Sequence, residues 1–139
     1  MDNCKYENTF LDEGQGLLTE YFGDVGEVCL MNSYNARFQD EKRFKRLKYI
    51  LNDYSGAISI NMAHGQIKRL AEYVNQFNHL NADLVVVWAM PDTLKFGLAR
   101  TMKGYNDQSG WTTHVSRTLE DAQVFINQTL DSDFPFKSA

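Results

Sequence analysis

Asp53, Ser55 and His64 stand within the short stretch 53–64, and they are residue types that proton transfer and nucleophilic attack use. A histidine can take the proton of a serine hydroxyl when a carboxylate orients it, provided all three lie within hydrogen-bond reach. On that reading the chain is a small enzyme. The surrounding sequence does not reinforce it. No G-x-S-x-G word encloses a serine, and neither G-x-G-x-x-G nor a Walker A word occurs. Polar residues without a motif rarely make a catalytic site. No catalytic residue is therefore assigned, and the expectation is a chain that binds rather than catalyses.

Metal and redox chemistry have equally little support. His64, His79 and His114 are too scattered to form a ligand motif, and Cys4 and Cys29 lack CxxC spacing. No metal and no cofactor are expected. Two isolated cysteines read as free thiols in a reducing compartment, which places the protein in the cytoplasm. The N-terminus MDNCKYENTF shows no basic region followed by an apolar run, so no signal peptide is expected. The longest apolar run, 84–90, is too short to span a bilayer. A net charge of −4 gives no reason to expect nucleic acid. The basic cluster Lys42, Arg43, Lys45, Arg46 and Lys48 is flanked by Asp40 and Glu41 and reads as a solvated connector.

The elements that would position these residues follow from hydrophobic periodicity. Tyr6 to Leu11 and Gly16 to Phe22 read as a hairpin around the turn-like Asp12-Glu13-Gly14-Gln15. Asp24 with Glu27 predicts a capped helix over Val25 to Phe38. Tyr49-Ile50-Leu51 is a short buried strand that Asn52 and Asp53 close. Ile60, Ala63, Ile67, Leu70, Ala71, Val74 and Phe77 mark a helical stripe, with Ser59 or Asn61 as its cap. Leu84 to Met90 is apolar throughout and predicts a central strand covered on both faces. A helix carrying Leu94, Leu98, Met102 and Tyr105 follows Pro91. Trp111 to Ser116 is the last strand. Thr118 and Asp121 cap a last helix to Thr129, and 131–139 is an irregular tail whose Phe134 and Phe136 pack back.

The order β-β-α-β-α-β-α-β-α predicts one α/β domain over 1–139. Its sheet is mixed but mainly parallel, with about five strands, an N-terminal hairpin and about four helices. Ligands of such sheets bind beyond the carboxyl ends of the parallel strands. Here those ends are Asn52-Asp53-Tyr54-Ser55, Met90-Pro91-Asp92 and Ser116-Arg117. The candidate binding residues are thus Asp53, Tyr54, Ser55, Ser59, His64, Asp92, Arg100 and Arg117. Arg100 joins them because guanidinium on the flank of a helix could meet a carboxylate or phosphate. Each also has an ordinary role. Asp53 and Asp92 can cap turns or helices, Ser55 can serve a turn, and Arg100 can lie on the surface.

Four stretches, in this order and spacing, carry a resemblance: YILNDYSGA at 49–57, VVVWAMPD at 85–92, GLARTMKGY at 97–105 and SRTLEDAQVFI at 116–126. Over about Gly16 to Thr129 the chain resembles the SpoIIAA-like, or STAS-like, family of small bacterial proteins, relatives of the Sec14-type lipid-binding fold. The resemblance implies a regulatory domain that recognises a protein partner. In that family a serine at the start of the helix after the central strand is phosphorylated, and the added charge breaks an interface. Ser55 and Ser59 occupy that region, without the Asp-Ser-Ser-Gly-type word of the motif. The Sec14 relationship implies an alternative, a carrier of lipid or small apolar molecules with an enclosed cavity. Self-association as a homodimer is a further expectation, through Tyr21, Phe22, Tyr34 and Phe38 or the Phe-Pro-Phe tail.

Overall fold

The computed structural model describes residues 3–91 and 110–138. The helix expected after Pro91, with Asp92 and Arg100, lies outside them. The described residues form a five-stranded sheet in the order β1-β2-β3-β4-β5. The strands are β1 (Lys5–Leu11), β2 (Gly16–Gly26), β3 (Tyr49–Asn61), β4 (Val85–Ala89) and β5 (Thr112–Ser116). β1 and β2 pair antiparallel as the expected hairpin, and every later pairing is parallel. Four α-helices are present among these residues: α1 (Glu27–Gln39), α2 (Glu41–Arg46), α3 (His64–Asn75) and α4 (Leu119–Leu130).

The period-2 alternation of the strands divides the core in two. Leu17, Tyr21, Ile50, Tyr54, Val86 and Trp88 face α1, α2 and α3. Tyr49, Leu51, Val85, Val87 and Ala89 face Ala122 and Ile126 of α4. All five residues of β4 are buried, as an apolar strand with cover on both faces must be. β3, rather than β4, holds the middle of the sheet.

Four local expectations are corrected. β3 does not stop at Asn52. It runs to Asn61 because it pairs with β2 as far as Gly26↔Asn61, with irregularities opposite Tyr21 and between Gly23 and Asp24. Asn52 and Asp53 read as a turn because they are polar, yet both are buried strand residues with side-chain partners. The Phe22 ring lies over Gly56, where any side chain would collide with it. α3 consequently starts at His64. Neither Ser59 nor Asn61 caps it, and the Gln66 side chain instead accepts from the Ala63 N–H at 2.7 Å. Asp24 likewise caps nothing, because it lies in β2 and Gly26 takes the cap position of α1. The basic connector forms the short helix α2, capped by Asp40, whose carboxylate accepts from the Arg43 N–H at 3.2 Å.

The last expected cap holds: Thr118 Oγ1 accepts from the Asp121 N–H at 3.1 Å. The tail also packs back, with Phe134 and Phe136 on the Tyr49 ring. Its backbone ties to the hairpin turn, where the Asp12 N–H donates to the Lys137 carbonyl at 2.8 Å. The Tyr49 hydroxyl donates to Asp12 Oδ2 at 2.6 Å. These contacts fix Asp12 in a left-handed conformation, at φ 51°, that a non-glycine residue adopts only when its surroundings over-determine it.

The cysteines are not free. Cys4 and Cys29 form a disulfide with a Cα–Cα distance of 6.1 Å, joining the chain just before β1 to α1. A spacing of 25 residues carried no motif, so their proximity becomes visible only once α1 has packed beside β1.

Candidate functional site

β4 and β5 end at one level. The register Asp53↔Ala89↔Ser116 puts Asp53 of β3 in line with those ends. The Met90 N–H donates to the Ser116 carbonyl at 2.8 Å and carries the pairing one residue further. Asp53 and Ser116 point to the α4 side of the sheet, about 10 Å apart from the spacing of adjacent strands. In the sheet register Ala89, with its small side chain, stands between them. Both polar residues are buried, and Ser116 Oγ has no hydrogen-bond partner among the described residues.

The row continues in the other direction as Asp53↔Glu20↔Glu7. Burial, then the neighbouring carboxylates of Asp53 and Glu7, raise the Glu20 pKa above its ordinary 4.5. Asp53 itself is turned toward Ser55. Its Oδ1 accepts from the Ser55 N–H at 2.9 Å and from the Ser55 hydroxyl at 2.6 Å. No group of three or more His, Cys, Asp or Glu side chains among the described residues could hold a metal ion.

The expected binding residues therefore separate. Asp53 and Ser55 touch. Tyr54, between them in sequence, is buried on the α1 side, where it stacks on Tyr21 at 4.6 Å. Ser59 lies further along β3 and donates to Asp24 Oδ1 at 2.7 Å, a strand-to-strand bond rather than a helix cap. Arg117 is exposed just beyond Ser116, and Asp92 and Arg100 lie outside the described residues. His64 opens α3, which packs with α1 on the other side of the sheet. The strand from Ser55 to Asn61 alone spans about 20 Å. Asp53, Ser55 and His64 do not assemble into a nucleophile, base and orienting acid.

The α1 side of the same edge holds residues that were not anticipated. Arg37 is only 7% exposed, yet no carboxylate among the described residues pairs with it. Its Nη2 donates to Asn52 Oδ1 at 2.9 Å and to Thr19 Oγ1 at 3.0 Å, and Thr19 Oγ1 donates to Asn8 Oδ1 at 2.6 Å. Its guanidinium lies 4.6 Å from the centre of the Tyr34 ring. Tyr21 and Ser33 share a 2.7 Å hydroxyl contact. Burial raises the pKa of Tyr21, Tyr34 and Tyr54, and Arg37 opposes the rise at each. The sequence signal was an arginine in phase with a buried stripe. Leu30, Ser33, Tyr34, Arg37 and Phe38 all fall on the inner face of α1. Two polar members dilute that stripe, so it reads as weakly amphipathic.

Clefts lined by described residues open to solvent. One, of about 390 Å³, lies between the hairpin turn and the tail, against Asp12, Gln15, Phe134 and Lys137. Another, of about 480 Å³, lies between Phe10 and the α1–α2 junction. Neither is the enclosed apolar cavity that a lipid carrier needs. Tyr21, Tyr34 and Phe38 are buried, which removes three of the aromatic residues proposed for self-association. No helix among the described residues is long and apolar enough to cross a membrane. No protein-family model matches the chain, and no curated protein matches it in sequence.

Proposed function

We propose that the chain is a non-enzymatic binding domain of the SpoIIAA-like kind, recognising a protein partner or small ligand where β4 and β5 end. The observation that carries this reading is Ser116. A buried hydroxyl without a partner is unfavourable, and side-chain polar groups in that condition call for a role. Ser116 stands at the carboxyl end of a parallel strand, in register with Asp53 across the small Ala89. That is where open α/β sheets receive ligands. A group presenting a donor to Asp53 and an acceptor or donor to Ser116 would engage both.

Catalysis has less support, because the only candidate trio is spread over two sides of the sheet. The free thiols that suggested a cytoplasmic location are joined in a disulfide, and disulfides persist in oxidising compartments. We therefore read the working environment as oxidising. Thiol titration of protein taken from its own host tests this: two reactive thiols in the unreduced, unfolded chain would return the protein to a reducing compartment.

Native mass spectrometry of wild-type protein and Ser116→Val, both from the native host, tests the binding reading. The expected result is an added mass, ligand or protein, on the wild type and its loss from the folded variant. A wild type that carries nothing overturns the reading. So does a variant that keeps the same added mass.

A further inference from the structure

We infer that a second copy of the chain docks on the outer edge of β1, so that two sheets join into one across a two-fold axis at Tyr6. This surface is separate from the Ser116 edge and does not depend on the binding reading above. The mass it adds is that of the chain itself, which is not the added mass that Ser116→Val should remove. β1 is an end strand of the sheet, and its residues from Lys5 to Leu11 pair with β2 without a bulge. No proline interrupts it. Such an edge offers a row of backbone donors and acceptors to another strand.

The tail shows which groups point outward. Ser138 bridges Leu11 antiparallel, and the Asp12 N–H donates to the Lys137 carbonyl. Along an antiparallel strand the backbone groups of successive residues turn to opposite sides. Asp12 is turned toward the tail, so Tyr6, Asn8 and Phe10 present their N–H and C=O groups on that same edge. Lys5, Glu7, Thr9 and Leu11 bond to β2. The tail occupies the edge at Leu11 and Asp12 and leaves Tyr6 and Asn8 open among the described residues.

Charge and the tail select the occupant and its register. In an antiparallel pairing of β1 with its copy, outward-turned residues lie opposite one another. A two-fold centre at Asn8 puts Lys5 of the copy opposite Leu11, where Ser138 already sits. A centre at Glu7 sets two carboxylates face to face, and a centre at Lys5 sets two ammonium groups face to face, both unfavourable. A centre at Tyr6 puts the exposed Lys5 of each copy opposite the exposed Glu7 of the other and stops short of the tail. β1 is thus charge-complementary to itself.

The same axis suits α1. The Tyr6 hydroxyl donates to the Asn32 carbonyl at 3.4 Å, which sets Asn32 near the axis. Val28, Asn32 and Ala36, one helical turn apart, form an exposed row, and Ala36 shares a cleft with Phe10 of β1. Val28 is 64% exposed, an unusual position for a valine. α1 packs on both β1 and β2. Strand spacings of about 4.8 Å then bring the two α1 axes to about 10 Å, a helix-packing distance. Val28 of each copy meets Ala36 of the other.

Sedimentation velocity of the full chain, up to roughly millimolar concentration, tests the pairing. The expected species is a dimer of twice the 16.0 kDa chain. Lys5→Glu and Glu7→Lys each set like charges opposite one another at both symmetry-related contacts. Each should weaken the dimer by about tenfold or more. Lys5→Glu/Glu7→Lys restores opposite charges and should return the dissociation constant to within about threefold of wild type. Both positions are exposed, so the variants keep the folded monomer. A monomer at every concentration overturns the proposal. So does a dimer that both single variants keep, which would use another surface. A double variant that stays as weak as the single ones overturns the Tyr6-centred pairing as well.

Discussion

Two rows of residues cross the sheet back to back, one position apart, and they are electrostatic opposites. On the α1 side Asn8, Thr19, Asn52 and Trp88 are cross-strand neighbours, and Arg37 sits over their middle. On the α4 side the row is Glu7, Glu20, Asp53, Ala89 and Ser116. The first buries a cation among neutral acceptors. The second crowds carboxylates toward a strand edge. The difference shows where polarity is structural in this fold. On the α1 side a charge is bonded into the core and holds a helix to two strands. On the α4 side like charges face each other and raise the energy of the ionised form.

The largest test concerns the sheet that both rows share. Val86 is 3% exposed on β4, under α3 and the α1-side core. Val86→Asp should give no folded protein, because a buried carboxylate without a partner costs several kcal/mol against a total stability of about 5–15 kcal/mol. Soluble protein with unchanged melting would mean that β4 is not covered on this side, and the contrast between the faces would fail.

Arg37→Met separates the rows directly. It keeps much of the buried stem and removes the charge, leaving Thr19 and Asn52 without their shared donor. The expected loss in chemical denaturation is about 3–4 kcal/mol, from a broken buried charge network. Arg37→Lys should recover little of it, since one ammonium cannot reproduce the planar set of donors. A neutral Arg37→Met would show that the α1-side charge is dispensable.

Reduction of the Cys4–Cys29 bond probes how α1 is held over its row. Closing a loop with a spacing of 25 residues is worth about 3.5 kcal/mol in the chain-entropy account. Cys4→Ala/Cys29→Ala should lose a similar amount in urea unfolding. A smaller loss would assign the docking of α1 mainly to Arg37, Tyr34 and the apolar stripe.

These residues also show what the sequence could and could not disclose. The element order, the hairpin, the parallel β4 and the Thr118 cap were legible, because hydrophobic period and capping are local properties. The extent of β3 was not. Asn52 and Asp53 are turn-forming types, and only tertiary partners, Arg37 above one and Ser55 beside the other, make them strand residues. Ser116 could be placed at a strand end from the pattern of the chain, and Asp53 was placed at one too, although β3 runs on to Asn61. Their common level could not, because register is set by pairing between distant segments. Arg37 was visible only as a charge in phase with a helical stripe, and Cys4 and Cys29 only as two unrelated residues.

Glu20 tests the α4-side row by pH. Its pKa is raised by burial, then by Asp53 and Glu7, so folding favours the protonated carboxyl. The penalty is absent well below 4.5, where Glu20 is protonated in both states. It grows as pH rises through the folded value and is complete above it. Glu20→Gln should therefore raise Tm at pH 7 and change little at about pH 3, where the unfolded carboxyl is also protonated. The rise should be smaller than the three losses above, because Glu20 is only half-buried. A variant that melts lower at pH 7 would mean that Glu20 is engaged by a positive group, and the row would not be an unrelieved cluster of like charge.

The smallest expected effect is the most informative about the binding edge. Ser116→Ala removes a buried hydroxyl that has no partner among the described residues. Deleting an unsatisfied polar atom leaves packing nearly unchanged and removes a desolvation cost. Stability should stay within about 0.5 kcal/mol of wild type or rise. The same change on Thr19, which is bonded on two sides, should be costly. A loss of about 1 kcal/mol or more at Ser116 would give its hydroxyl a structural bond and remove the reason to assign it to a ligand. Neutral stability together with loss of the mass that accompanies the native protein would separate the two rows by purpose. Arg37 would then hold the fold together, and Ser116 would be retained for what it binds.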